Sequence, residues 1–501
     1  MSSKVPSPPS GKASAGEAEK PSGSPERASA ALDWKDLPVV VTETCYGRVA
    51  GIREADGLIL FQGMPYALAP KGTLRFRPPQ ELMPWEGILP AFRFGPVCPQ
   101  IPAAFAPSSF YPQDEDCLSL NVWTPGIDDK RRPVLVFIHG GAFINGSSAE
   151  SAYDGSTLSR RGDMVVVTAN YRLGALGFLY LEDMDSEFAE SGNLGLLDQI
   201  AALKWVQKSI DRFGGDSGNV TIMGQSAGSI SVTTLMAAPE AGGLFKRSIA
   251  ESGAPNLCHS KESAALVASK FLKLAQVKDV EGLRSLTPFQ LMDVQEKLLK
   301  QSGLSASNLF APVIDGRLLP QDPFKALENG AAKEIPLLLG TNKDEVRLWL
   351  IYQGLLAHAP PLALLAIFPN SREVFGSRMV EVLARYRLSR LLARPGDVTL
   401  EVATDAEFWI PQVRLAEIQS RYAPTWMYRF DWPSPAKNGE LGACHALELP
   451  FVFHNFHTPQ AAHMVGQSPP SSLAERIQGA WIAFVRTGEP KHWGSASLAS
   501  L

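Results

Sequence analysis

The chain has 501 residues and a formal net charge of −4, with 45 % apolar and 20 % charged residues. That balance suits a globular protein with a sizeable core, and it excludes the basic groove of a nucleic-acid binder or a polybasic surface for anionic membranes. Five scattered cysteines exclude a disulfide scaffold, and no C-x-x-C pair is present to suggest structural zinc.

Residues 1–36 are rich in Pro, Ser, Gly, Ala, Lys and Glu, with almost no apolar residue ahead of Leu32 and Trp34. Such a segment buries too little surface to offset its ordering entropy and is read as a disordered tail. It lacks a charged-then-apolar leader pattern, so a cytoplasmic location is expected, without excluding another export route. Residues 37–501 read as one domain.

In that domain, residues 39–42 and 58–61 are strand-like, and a stronger rhythm starts at 133–138. Apolar runs follow at 164–168, 220–223, 248–250, 335–339 and 426–430. Between the first and second of these, Leu196, Ile200, Leu203, Val206, Ile210 and Phe213 recur at spacings of three and four. That is a helix, closed by Gly214-Gly215. Near-continuous apolar strands alternating with helices predict an α/β fold with a large, mostly parallel sheet covered on both faces. Residues of about 255–330 and 346–420 are read as helical excursions forming the pocket. The uncharged stretch 348–368 is long enough to raise the question of a membrane span. Gln353, Gly354, His358 and Pro360-Pro361 break it, which favours a pocket-lining excursion.

The most informative segment is Gly224-Gln-Ser-Ala-Gly228, a G-x-S-x-G sequence after a strand-like run and before a helical one. There the serine sits on a sharp turn with its hydroxyl pushed out of the sheet edge, and the glycines leave room for close backbone approach. A serine hydroxyl is a weak nucleophile and needs a base, itself oriented by a carboxylate. The chain order Ser, acid, His points to Asp344 or Glu345 after the 335–339 strand. It points to His445 after the 426–430 strand as the base, with His454, His457 and His463 as competitors. Those three lack the ligand spacing of a metal site. Backbone donors for an oxyanion are expected from Ala227 and from the turn His139-Gly-Gly-Ala-Phe143.

Taken together these motifs resemble the type-B carboxylesterase/cholinesterase family of α/β-hydrolases, nearest its para-nitrobenzyl-esterase-like members. The landmarks are Phe61-Gln-Gly-Met-Pro-Tyr-Ala67, Arg75-Phe-Arg-Pro-Pro79, Glu115-Asp-Cys-Leu-Ser-Leu-Asn-Val122 and Asn170-Tyr-Arg-Leu-Gly-Ala-Leu-Gly-Phe178. Gly192-Asn-Leu-Gly-Leu-Leu-Asp-Gln199, Phe213-Gly-Gly-Asp216 and His445-Ala-Leu-Glu-Leu-Pro-Phe451 complete them. The resemblance implies Ser226 as nucleophile, His445 as base and Glu345, not Asp344, as the acid. It implies oxyanion donors at Gly141, Ala142 and Ala227, and a supporting hydroxyl at Ser252. It also implies buried pairs Arg172–Asp198 and Arg75–Glu115. Cys98 and Cys117 match the family's disulfide pair and are expected to lie close together, bridged or, in a reducing compartment, as thiols.

Two departures narrow the substrate. The family usually has Glu where this chain has Gln225, and no Trp lies between Cys98 and Cys117. Both weaken attraction for a cationic ester and argue against a cholinesterase. The expected protein is thus a serine carboxylesterase for uncharged esters of short to medium acyl chain. It is expected to need no metal or cofactor and to act as a monomer or dimer on small molecules. Phe143, Phe451, Leu348 and Leu350 are expected to line its pocket. The alternatives are a lipase for longer-chain lipid esters and a non-catalytic binding relative.

Overall fold

A computed structural model describes residues 34, 37–101, 111–302, 309–352, 374–491 and 499–500. The tail expected at 1–36 falls outside these apart from Trp34, and so does most of the uncharged stretch 348–368.

A 12-stranded sheet runs through the molecule. Its strands are β1 (Val39–Glu43), β2 (Arg48–Arg53), β3 (Ile59–Pro65), β4 (Ile88–Pro90), β5 (Ser119–Thr124), β6 (Arg132–Ile138) and β7 (Val165–Ala169). The chain continues with β8 (Gly215–Gln225), β9 (Arg247–Glu251), the separate short pair β10 (His259–Ser260) and β11 (Val313–Ile314), then β12 (Leu337–Asn342), β13 (Thr425–Phe430) and β14 (Ala499–Ser500). Strand order is β1-β2-β3-β5-β7-β6-β8-β9-β12-β13-β14, with β4 beside β2. From β7 to β13 every pairing is parallel, whereas β1, β2, β3 and β5 form an antiparallel wing.

Side-chain alternation divides the core. Val134, Val136, Ile138, Val220 and Ile222 face one layer, with Leu196, Ile200, Leu203 and Val206 of helix Leu194–Ser209 packed against them. Leu135, Phe137, Met223 and Leu338 face the other, against Ile477, Trp481 and Phe484 of helix Ser471–Thr487. A strand buried on both faces has no polar side to show, which is why these runs read as continuous apolar stretches. β5 breaks that pattern. It is fully buried, yet its sequence Ser-Leu-Asn-Val-Trp-Thr carries a polar Asn121. The amide of Asn121 accepts from Gly63 N and donates to Ser148 and Thr168 hydroxyls, so burial costs it no hydrogen bond.

Both expected ion pairs are buried and bidentate. Arg75 meets Glu115 at 2.6 and 2.5 Å, and Arg172 meets Asp198 at 2.8 and 2.7 Å. Arg75 also donates to Arg284 O and Leu286 O, tying an early loop to a helical excursion. Cys98 and Cys117 are buried free thiols, and the hydrogen bond to Cys98, with burial, pushes the Cys117 thiol well above its ordinary value. Among the described residues no helix is long and apolar enough to cross a membrane.

Candidate active site

Four loops meet at the carboxyl ends of β6, β8, β9 and β12, where parallel sheets usually bind their ligands. At the end of β8 the chain must turn from strand to helix within one residue. Ser226 does so at φ 58° and ψ −125°, a conformation that costs a non-glycine residue ~1–3 kcal/mol. Its N–H donates to Glu251 O at 2.9 Å and its carbonyl accepts from Ile230 N at 2.9 Å, so the turn is pinned on both sides. The flanking glycines are dictated by space. A Cβ on Gly224 would fall 2.2 Å from Gly228 O, and one on Gly228 would fall 2.0 Å from Ile138 O.

The turn after β6 passes directly over this elbow. A Cβ on Gly140 would lie 2.8 Å from Gln225 O and 3.0 Å from Ser226 Cβ. Gly141, Ala142 and Phe143 then take positive φ values of 110°, 53° and 59° in succession. This winding turns their N–H groups away from ordinary pairing: among the described residues, neither Gly141 nor Ala142 donates a hydrogen bond. Ala227 opens helix Ala227–Ala237, so its N–H has no acceptor within the helix. Behind the turn, His139 is buried and stacks on Tyr171 with ring centroids 4.4 Å apart. Burial lowers its pKa to about 4, keeping it neutral.

Glu345 follows β12 and is fully buried. One carboxylate oxygen sits 2.6 Å from His445 Nδ1. The other accepts from Ser252 Oγ at 2.6 Å and from Asn342 N at 2.7 Å. Asp344 faces elsewhere: it accepts from Ala443 N at 3.0 Å and pairs with Arg347, clamping the histidine loop from outside. Asn342 braces the loop from within, donating to Cys444 O at 2.8 Å and to Glu448. Of the competing histidines, His457 and His463 are exposed and His454 packs on Phe456. Among the described residues no group of His, Cys, Asp or Glu is arranged to hold a metal.

Two further carboxyls lie beneath the site. Burial, then the charge of Glu345, raises the Glu448 pKa to about 8, and burial, then Glu448, holds Glu251 well above the usual carboxylate range. Glu251 accepts from Trp481 Nε1 at 2.6 Å, while among the described residues its other oxygen has no partner.

The side chains expected to line the pocket are distributed differently. Leu348 and Leu350 are buried in two separate core clusters, and Phe451 is fully buried among Phe430, Trp432 and Phe456. Helix Arg347–Tyr352 turns both leucines inward and leaves Trp349 facing the imidazole, centroids 4.7 Å apart. Phe408 completes that wall at 5.1 Å from His445 and stacks on Trp349 at 5.9 Å. It sits on a π-helical turn, Asp405–Trp409, whose extra residue per turn no sequence period announces. Phe143 is buried beside the glycine turn, packed on Phe178 at 4.9 Å.

A strained serine on a strand-to-helix elbow, a buried carboxylate–histidine pair and unpaired main-chain donors belong to the α/β-hydrolase class. The carboxylesterase family model matches residues 36–500, and the chain belongs to that family of carboxylic-ester hydrolases. It is 40 % identical to the para-nitrobenzyl esterase of Bacillus subtilis over 460 residues, covering 90 % of each chain. It is 32 % identical to the phenmedipham hydrolase of Pseudarthrobacter oxydans over 471 residues, covering 90 % of this chain and 91 % of that one. The crystal structure of the Geobacillus stearothermophilus carboxylesterase EST55 superposes with a TM-score of 0.82 at 38 % identity, covering 92 % and 93 % of the two chains.

Proposed function

We propose that Ser226, His445 and Glu345 form a charge-coupled triad that hydrolyses uncharged carboxylic esters through an acyl-enzyme. The observation that carries this reading is the 2.6 Å contact between Glu345 and His445 Nδ1 in a buried setting. An ionised carboxylate can only accept, so Nδ1 carries the proton and Nε2 keeps the lone pair a general base needs.

In this reading His445 takes the Ser226 proton as the oxygen attacks the ester carbonyl, and gives it to the departing alcohol. Water activated by the same imidazole then releases the acid. The N–H groups of Gly141, Ala142 and Ala227 receive the developing oxyanion, each worth ~3–4 kcal/mol to the transition state. Ser252 holds Glu345 in place. The Trp349–Phe408 wall and the neutral Gln225 amide favour uncharged acyl and alcohol groups of short to medium size. In a reducing cytoplasm, the compartment this reading assigns, Cys98 and Cys117 would remain thiols.

The test is a pre-steady-state burst of para-nitrophenol from the butyrate ester, with organophosphate labelling located by mass spectrometry. Ser226→Ala is expected to fold normally, lose the label and fall by about 10⁶ in kcat. Turnover surviving in that variant would mean another nucleophile. A jump in rate when triolein droplets form would move the reading to a lipase.

A further inference from the structure

The π-turn that carries Phe408 is held at its first residue from two directions. Asp405 O accepts from Ile410 N, five residues on, and this bond defines the widened turn. Pro411 follows at once. It has no N–H, and its ring crowds the carbonyl four residues back, so an ordinary α turn is disfavoured here. The side chain of Asp405 meanwhile accepts from Tyr386 Oη, on helix Met379–Ser389. One residue thus joins the wide turn to a neighbouring helix.

This junction is withdrawn from water. Burial raises the Asp405 carboxyl above its ordinary value, and burial, then the hydrogen bond to Asp405, raises the Tyr386 phenol. A hydrogen bond in such a setting is not readily replaced by solvent. Met379, Leu383 and Tyr386 pack on the same buried cluster as Trp349 and Phe408, so the helix backs the aromatic wall directly. Arg390 and Glu401 also meet nearby at 2.9 Å, but that pair is half-exposed and contributes little.

We infer that Tyr386 and Asp405 are positioning residues that aim Phe408 and so set the preference among the alcohol groups of the ester. The inference rests on the triad reading above, in which the departing alcohol takes its proton from His445 Nε2. The leaving oxygen must then come within hydrogen-bond reach of that ring, and a wall packed on the ring borders the alcohol half of the ester. Phe408 stands 5.1 Å from His445 and stacks on Trp349 with an interplanar angle of 10°. A planar apolar group such as benzyl gains more from that surface than a small one such as ethyl. Without the Tyr386 bond, the wide turn keeps its main chain but loses the tie that fixes its roll against the wall.

The experiment measures KM and kcat separately for benzyl butyrate and ethyl butyrate, with melting temperature alongside. Tyr386→Phe keeps the ring and removes one hydroxyl. It should raise the benzyl-to-ethyl KM ratio about three- to tenfold, the change falling in KM rather than kcat, and Asp405→Ala should do the same. Asp405→Asn keeps an acceptor oxygen and should restore the wild-type ratio. Phe408→Ala should shift the ratio in the same direction, and adding Tyr386→Phe to it should change the ratio no further, because both act on one contact. Folded variants with the wild-type ratio overturn the inference, and so does a double variant whose effects add. Failure of both Tyr386→Phe and Asp405→Ala to fold would make the bond purely structural and overturns it too. If the triad reading itself is wrong, a phosphonate fails to label Ser226 in wild type, a separate result.

Discussion

The two halves of the candidate site are held in place by different physics. On the serine side, position is set by backbone: positive φ at Ser226, Gly141, Ala142 and Phe143, and glycines at 140, 224 and 228 packed where no Cβ fits. On the histidine side, position is set by buried polar side chains: Glu345, Ser252, Asn342, Glu448 and Gln225 around one imidazole. The first half resists change because any added atom collides with main chain. The second half depends on side chains, so its contacts can be removed one at a time.

That contrast is open to attack at three points. Glu345→Gln should lower kcat by about 10⁴ through loss of the correct tautomer, with little change in melting temperature. Steady-state kinetics beside a thermal melt would show it, and a proportionate loss of stability would blur the distinction. Gly224→Ala should behave in the opposite way. Its new Cβ meets Gly228 O, so kcat and stability fall together, the latter by ~1–3 kcal/mol or more in urea unfolding. An unchanged unfolding midpoint would show that the elbow yields more readily than its spacing suggests.

Glu448→Gln is the mildest and tests the polar half through pH. Glu448 titrates near 8 in the folded protein against an ordinary 4.5, so between those values the native state holds a proton that the unfolded chain releases. Its stabilising contribution is complete below 4.5 and disappears as pH rises through about 8. The glutamine variant should therefore lose less stability than wild type between pH 5 and 8. Parallel slopes in urea melts across that range would remove Glu448 from the account.

The same contrast explains what the sequence made legible. Gly224 to Gly228 and His139 to Phe143 are contiguous, and close backbone approach selects a residue type visible in one dimension. The parallel strands β6, β7, β8, β9, β12 and β13 were likewise readable, most plainly β6, β7 and β12, where burial on both faces leaves an apolar run. Side chains brought together across the fold left no such trace. Residue order alone allowed either Asp344 or Glu345, and the family resemblance favoured the glutamate that now meets His445. The pocket wall was sought in Leu348, Leu350 and Phe451. Hydrophobicity does not say which face of a short helix turns to the core, and the intervening Trp349 faces the imidazole instead. Phe408 was missed altogether because a π-turn shifts it out of the α-helical period. Asn121 shows the same blindness in β5, where satisfied polarity hides a buried strand.

The π-turn has a consequence for how such a pocket diversifies. A wall mounted on an over-long turn can be re-aimed by dropping or adding one amino acid there, which rotates everything mounted beyond it by roughly 100° around the axis. Chain length at Asp405–Trp409 therefore sets which side chain faces the imidazole, a property separate from the identity of any one residue.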